Sequence, residues 1–447
     1  MKRGKILSET QSLCPECFER VPAFRVAYEK QVYLEKRCPA HGVFKTIIWR
    51  GSPALQTWSR PKIPSTPPQC FTAVERGCPF DCGLCPDHGQ HTCTALLEIT
   101  ARCNLRCPIC FAATGKAPKP DPSITKIGRW YERVKMAGGD CNIQLSGGEP
   151  TLRDDLPEII ALGRKTGFSF VQLNTNGLRL AEEPGFASTL KAAGLSSVFL
   201  QFDGTDDRIY QRTRGRSLMA IKRRAVENCA KADIGIVLVP TLVPGVNEHE
   251  IGRIIRFALK RAPEIRGVHF QPISYFGRYP APPADRDRIT IPEVLTAIQR
   301  QTEGKIEAAS FKPPGCEHAL CSFHGNFMIM PDGALKPLTG EEKNCCKAPG
   351  EAKEGARLAI ASVKRQWAAP TSDCGCNSGP KDALDLFIAR AKSHLFSISG
   401  MAFQDIWNLD LERLKGCCIH TVSPSGLLIP FCAYNITGRM GKALYRE

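Results

Sequence analysis

Residues 95–115 read ALLEITARCNLRCPICFAATG. A short apolar run, ALLEIT, leads into a segment with cysteines at 103, 107 and 110. The run has the length and β-branched ending of a buried strand, and the thiols fall just past its carboxyl end. The same alternation recurs downstream. It predicts strands at 95–100, 141–147, 169–175, 197–203, 235–241 and 267–273. Helices are predicted near 123–137, 153–166, 184–193, 217–232, 247–261 and 292–303. Strands that alternate with helices pair in parallel through right-handed crossovers. The fold class is therefore α/β, with the sheet open or curled into a partial (β/α)6 barrel. Ligands of such folds sit at the carboxyl ends of the strands. Four loops converge on that rim: the cysteine trio, SGGEP at 146–150, NTNG at 174–177 and FDGTDD at 202–207.

Thiolates hold iron–sulfur clusters, usually four to a cubane. Three protein ligands leave one iron open to an outside molecule. A zinc site completed by a distant residue is the competing reading, but zinc favours paired CxxC units over a CxxxCxxC spacing. Together, CNLRCPIC and SGGEP resemble the radical S-adenosylmethionine (SAM) superfamily, over about residues 93–305. The resemblance implies a radical SAM partial barrel in which Cys103, Cys107 and Cys110 hold a [4Fe–4S] cluster. The open iron would chelate the amino and carboxylate groups of SAM. Gly147, Gly148, Glu149 and Pro150 match the loop that hydrogen-bonds the methionine amino group. Asn174 and Asp203, at strand ends, are candidates for its ribose hydroxyls or carboxylate. VPGVNEHE, at 243–250, resembles the loop near the adenosine. The cofactor would supply a 5'-deoxyadenosyl radical that takes hydrogen from an unactivated carbon. The sequence names no catalytic side chain beyond these.

The flanks differ in composition. Residues 1–92 are rich in Cys, Pro and Gly and read as a small metal-stapled domain; 93–310 is the barrel; 311–447 returns to cysteine-rich sequence. Twenty-two cysteines in a chain of 447 residues point to metal rather than to disulfides. CPEC at 14–17 and CPAHG at 38–42 predict a mononuclear iron or zinc site of Cys14, Cys17 and Cys38, completed by His41 or by Cys70. CPFDCGLCPDHGQHTC, at 78–93, predicts a closed auxiliary [4Fe–4S] cluster on Cys78, Cys82, Cys85 and Cys93. A further auxiliary cluster is expected from Cys316, Cys321, Cys432 and one of the neighbours Cys417 and Cys418, with Cys417 taken into the set. That makes three [4Fe–4S] clusters, with the pairs Cys345/Cys346 and Cys374/Cys376 as alternative ligands. Cys141 and Cys229 read as small core residues.

The net charge of +16 favours an anionic partner. IKRRAV at 221–226 and ALKRAPEIR at 258–266 read as exposed helix faces. There is no run of about 18 apolar residues and no apolar signal core, so a cytoplasmic protein is expected, with peripheral membrane contact. Nucleic acid is not an expected partner, because the cysteine segments lack interleaved basic and aromatic residues. The whole-chain layout is similar to the archaeal tetraether lipid synthases and their bacterial relatives. That resemblance implies carbon–carbon bond formation between lipid tails, an anionic lipid or other small-molecule substrate, and an external electron donor such as ferredoxin or flavodoxin. The alternative is a radical SAM methylase or modifier of a pterin or peptide. A deep apolar tunnel would favour the lipid, and a compact polar pocket the alternative.

Overall fold

The computed structural model describes residues 4–113, 120–339, 349–370 and 382–446. Its centre is the predicted parallel sheet: Thr94–Thr100, Asn142–Gly147, Val171–Thr175, Ser197–Gln201, Gly235–Val239 and Ile265–Pro272, paired in that order. The sheet extends further than expected. Leu395–Met401 adds in parallel beside the sixth strand, and Ile419–Val422 adds in parallel beside the first. The C-terminal third is therefore not an appendage, because it supplies both flanks of the barrel sheet. Antiparallel strands Ser322–Ile329 and Leu428–Pro430 close the outer sides of these additions.

Alternation along the strands explains the curling. Leu97, Ile143, Leu145, Leu173, Val198, Leu200, Ile236, Leu238, Val268 and Ile398 share one apolar core with the helices. That core includes Ile127, Tyr131 and Val134 of the helix Ile124–Gly138 and Ile254, Ile255 and Ala258 of Ile251–Leu259. Only this face is covered by helices, so the residues between them face inward, as in a barrel. Those inward positions are mixed: Glu98, Gln144, Gln172, Asn174, Gln201, His269 and Ser399 share the face with Leu96, Phe199, Val237 and Val239. The helix Ala352–Trp367 touches several strands across the barrel. A Cβ on Gly235, at an amino end, would run into the Trp367 carbonyl. Lys364 of the same helix pairs with Asp140, just before the second strand, at 2.7 Å. The amino end of the barrel is thus closed by that helix.

The N-terminal unit is a four-stranded antiparallel sheet of Lys5–Leu13, Arg20–Tyr28, Gln31–Cys38 and Gly42–Arg50. It docks through buried polar groups. Arg25 pairs with Asp410 at 2.6 Å, and Lys36 Nζ donates to Ser12 Oγ at 3.0 Å and to the Ile406 carbonyl at 2.7 Å. No helix among the described residues is long and apolar enough to cross a membrane. Cys345, Cys346, Cys374 and Cys376 lie outside the described residues.

Candidate active site and metal centres

The first strand ends at Thr100, and Cys103, Cys107 and Cys110 follow it in a loop at the carboxyl rim. All three thiols are half-buried. Burial pushes the Cys103 thiol up to about 11, with Glu149, Cys107 and Cys110 adding to the rise. Three thiolates therefore cannot share this place unless a positive centre joins them, which is the chemistry of an iron cluster. The loop is clamped from across the barrel: Arg278 donates to the Cys107 carbonyl at 2.9 and 3.1 Å, and its backbone exchanges hydrogen bonds with Cys110.

SGGEP packs directly beneath this loop. A Cβ on Gly147 would run into the Thr100 carbonyl, and one on Gly148 into the Arg102 carbonyl. Only glycine lets the two loops approach so closely. Pro150 then opens a short helical turn. Glu149 is expected to bind the cofactor, but its buried carboxylate is already occupied. It accepts from Thr151 N at 3.1 Å, from the Thr151 and Thr175 hydroxyls at 2.7 Å each, and from Asn176 N at 2.7 Å. Glu149 therefore ties the second loop to the third. Asn176 carries the tie onward, donating to Asn104 Oδ1 in the cysteine loop at 2.7 Å.

Asp203, the other strand-end carboxylate expected at the cofactor, is also engaged. It is fully buried, and it accepts from Arg214 Nε at 2.6 Å, Arg214 Nη2 at 3.0 Å and Thr241 N at 3.1 Å. Burial pushes its carboxyl up, but the Arg214 guanidinium outweighs it and holds the group below the usual range. Cys107 lies within electrostatic range of the Arg214 guanidinium. Nothing in RTRGR singled out this arginine; only the fold brings it to the cysteine loop. Asn247 of VPGVNEHE donates to the Asp203 and Thr241 carbonyls at 2.9 and 2.8 Å, which makes it a tie within the loop. Lys222, expected on an exposed face, is fully buried beneath the third and fourth loops, while Arg223 and Arg224 beside it are exposed.

Below the rim the barrel interior carries polar side chains. Gln144, Asn174 and Gln201 are only half-buried although they sit on central strands. Asn174 Oδ1 is buried with no hydrogen-bond partner among the described residues, and the Gln201 amide lies beside the Asp203 carboxylate. Orphaned buried polar atoms cost about 1–3 kcal/mol each, so they mark where a ligand belongs. The floor is aromatic. Phe199 lies 5.3 Å from His269 and 5.0 Å from Trp367, ring centre to ring centre. His269 Nδ1 meets Ser399 Oγ at 2.9 Å, and burial drops its pKa to about 4, so it is neutral.

The structure brings Cys14, Cys17, Cys38 and His41 together and leaves Cys70 out. Cys17 and Cys38 sulfurs are 3.9 Å apart, and His41 Nδ1 lies 3.4 and 3.6 Å from Cys38 and Cys14. A tetrahedral zinc site has edges of about 3.8 Å between sulfurs and about 3.6 Å from sulfur to nitrogen. The donor set fits that ion.

The other cysteines regroup. Cys93 leaves Cys78, Cys82 and Cys85 and meets Cys316 and Cys418, all three buried. Cys93 and Cys418 each precede a strand, and those strands are parallel neighbours, so Cys93 N donates to the Cys418 carbonyl at 2.8 Å. This trio sits at the amino end of the sheet, opposite the rim that carries Cys103. Cys78, Cys82 and Cys85 remain together around a small pocket that reaches Leu414 and Pro430. Cys321, Cys417 and Cys432 stay within electrostatic range of one another, but Cys316 has left them. Cys418, not Cys417, is the neighbour of Cys316.

Known proteins match this arrangement. A radical SAM superfamily profile matches residues 97–258. The 7,8-dihydro-6-hydroxymethylpterin dimethyltransferase of Methanocaldococcus jannaschii is 36% identical, over 96% of this chain and 94% of its own. The chain belongs to the radical SAM superfamily. A GTP 3',8-cyclase of Paenarthrobacter nicotinovorans is 28% identical over 43% of this chain and 54% of its own. A profile described as an HMPTM N-terminal zinc ribbon domain matches residues 6–50. Among solved structures, Streptococcus suis SuiB bound to S-adenosylmethionine aligns at 12% identity and a TM-score of 0.38, over 48% of this chain and 47% of its own.

Proposed function

We propose that this radical SAM enzyme methylates a pterin. The observation that carries the reading is the barrel interior below the cysteine loop, with its amide side chains and the ring cluster of Phe199, His269 and Trp367. A flat heterocycle can stack on the rings and meet the amides. An alkyl tail would leave Asn174 Oδ1 unsatisfied. The near full-length match to a pterin dimethyltransferase supports the same substrate class. The expectation of lipid tail coupling has no such support.

Cys103, Cys107 and Cys110 would hold the cluster, and the glycines of SGGEP would admit the methionine part of SAM. When bound, cluster and SAM supply the one-electron chemistry that removes hydrogen from an unactivated carbon. The chain's own residues do the rest. Arg278 and Arg214 fix the cysteine loop, Glu149 and Asn176 fix the loops around it, and the aromatic floor limits how deep a ring can sink. In the net exchange a substrate C–H would become C–CH3: the hydrogen would leave in 5'-deoxyadenosine as one SAM is split to methionine, the methyl would come from a sulfonium donor that becomes a thioether, and two electrons would come from the external donor. Cys14, Cys17, Cys38 and His41 would hold zinc. The remaining cysteine sets would hold auxiliary clusters fed by an external electron donor of the ferredoxin or flavodoxin class.

The test is anaerobic incubation of reconstituted enzyme with SAM, reductant and 6-hydroxymethyl-7,8-dihydropterin, followed by mass spectrometry. The reading expects a pterin heavier by one or two methyl groups. A parallel incubation with a cell lipid extract that yields products lighter by two hydrogens, with the pterin unchanged, would return the function to lipid coupling.

A further inference from the structure

The short helix Leu411–Lys415 carries a buried cation whose partner is a sulfur. Arg413 is only 5% exposed. The acidic residues beside it on the same segment, Asp410 and Glu412, both pair with Arg25 instead, at 2.6 and 2.5 Å. Arg413 donates twice to Cys321 Sγ, from Nε at 3.4 Å and from Nη2 at 3.3 Å, and Nη2 also reaches the Ala402 carbonyl at 3.1 Å. A guanidinium does not give up its proton in a protein, and a buried charge is held only where a negative group answers it. Among the described residues no carboxylate forms an ion pair with Arg413, so the negative charge belongs on the sulfur.

Cys321 lies within electrostatic range of Cys417 and Cys432. The hydrogen bonds of these two sulfurs go elsewhere: Cys432 accepts from Gln404 N at 3.2 Å, and Cys417 meets the Ile419 carbonyl at 3.2 Å. Thiols that sense one another without contact have the spread of cubane corners, unlike the close pair Cys17 and Cys38 at a single-ion site. The Arg413 charge acts on Cys432 as well. Reduction adds one negative charge to a cluster. A cation fixed on a ligand sulfur favours the reduced form over the oxidised one and so raises the potential.

We propose that Arg413 is a positioning residue that acts through Cys321 to raise the potential of an auxiliary cluster on Cys321, Cys417 and Cys432. The step it favours is a one-electron transfer: an external donor of the ferredoxin or flavodoxin class is oxidised by one electron, and this cluster is reduced by one. The inference rests on the reading of these cysteines as cluster ligands and is independent of the substrate.

The experiment is an anaerobic redox titration of reconstituted holoenzyme, followed by electron paramagnetic resonance, with iron and sulfide counted on every sample. Arg413→Met removes the charge and both donors. One cluster is expected to lose at least about tenfold in its reduction constant, which is about 59 mV for a one-electron couple, while the other clusters stay within about twofold. Arg413→Lys, which keeps a charge without the fork, is expected to fall between the two. A role in packing alone would leave the potentials where they are. Cys321→Ser is expected to lose or alter the same signal. A further measurement leaves Arg413 in place. Cys107→Ala protein, which lacks the rim cluster, is made with arginine carrying heavy nitrogen, and its reduced auxiliary clusters are expected to show spin-echo modulation from a guanidinium nitrogen. Absence of that modulation overturns the proposal. Arg413→Met with every reduction constant within about twofold of wild type overturns it too. In both cases the cluster reading survives, whereas full iron and unchanged signals in Cys321→Ser remove the reading and the proposal together.

Discussion

Arg214 Nε lies 2.6 Å from Asp203 Oδ2, and the same guanidinium lies within electrostatic range of Cys107. One buried ion pair therefore links the end of the fourth strand to the cysteine loop. Asp203→Asn leaves Arg214 buried without its counter-charge, a change that costs about 3–5 kcal/mol at such sites. Denaturant unfolding should show a loss of that order, and the iron retained at the rim should fall with it. A stability change within about 0.5 kcal/mol would mean that the pair is not buried as described. The pH dependence has a definite sign. The Asp203 carboxyl is held below its usual range, so its contribution is present above the unfolded pKa of about 3.9 and is lost as pH falls through the folded value.

The N-terminal sheet is expected to depend on the zinc that Cys14, Cys17, Cys38 and His41 would hold. Removing zinc with a chelator, or replacing Cys38 with Ser, leaves charged and desolvated thiols facing one another. Burial pushes Cys14 up to about 11, while the His41 hydrogen bond pulls Cys38 down to about 6. Hydrogen exchange across residues 5–50 should rise after metal removal, and the barrel strands should keep their protection. Unchanged exchange over residues 5–50 would show that the metal is dispensable.

Cys418 and Cys417 are neighbours in sequence but belong to different groups. Iron and acid-labile sulfide assays on Cys418→Ser should show the loss of one cluster, about four irons. Cys229→Ser, at a buried helix position, should keep the full complement. Full iron in Cys418→Ser would remove Cys418 from any cluster.

Acid should destabilise the fold before its carboxylates titrate. Burial drops His269 and His324 to about 4, whereas the unfolded chain takes up these protons near 6.5. Unfolding stability is therefore complete above about pH 6.5 and declines as pH falls toward 4, by up to about 1.4 kcal/mol per unit for each histidine. Denaturation midpoints across that range measure the slope, and His324→Asn should flatten it.

The six central strands and their rim loops were legible because the relevant signals are local. Apolar runs alternate with helical periods, and CxxxCxxC and SGGEP carry their chemistry within a few residues. The grouping of Cys14, Cys17 and Cys38 was legible for the same reason, with His41 one of the two residues expected to complete it. Cys418 beside Cys93 was not, because it depends on Ile419–Val422 adding to the sheet next to Thr94–Thr100, a pairing more than 300 residues apart in the chain. Lys222 was misread for a different reason: one helix turn carries Lys222 inward and Arg223 and Arg224 outward, and composition alone does not resolve its faces. Trp367 reaches the floor only because its helix closes the barrel. The amide wall was visible in NIQLSG and VQLNT as polar residues at alternate positions, a pattern overlooked because the apolar residues between them were enough to mark strands.

The most direct measurement of the central claim is the ligand dependence of SAM cleavage. Anaerobic, reduced enzyme should release 5'-deoxyadenosine at a rate that rises when 6-hydroxymethyl-7,8-dihydropterin is added and stays at background with saturated diacyl or diether lipid, and Cys107→Ala should abolish both. Cleavage stimulated by lipid and indifferent to the pterin would contradict the account.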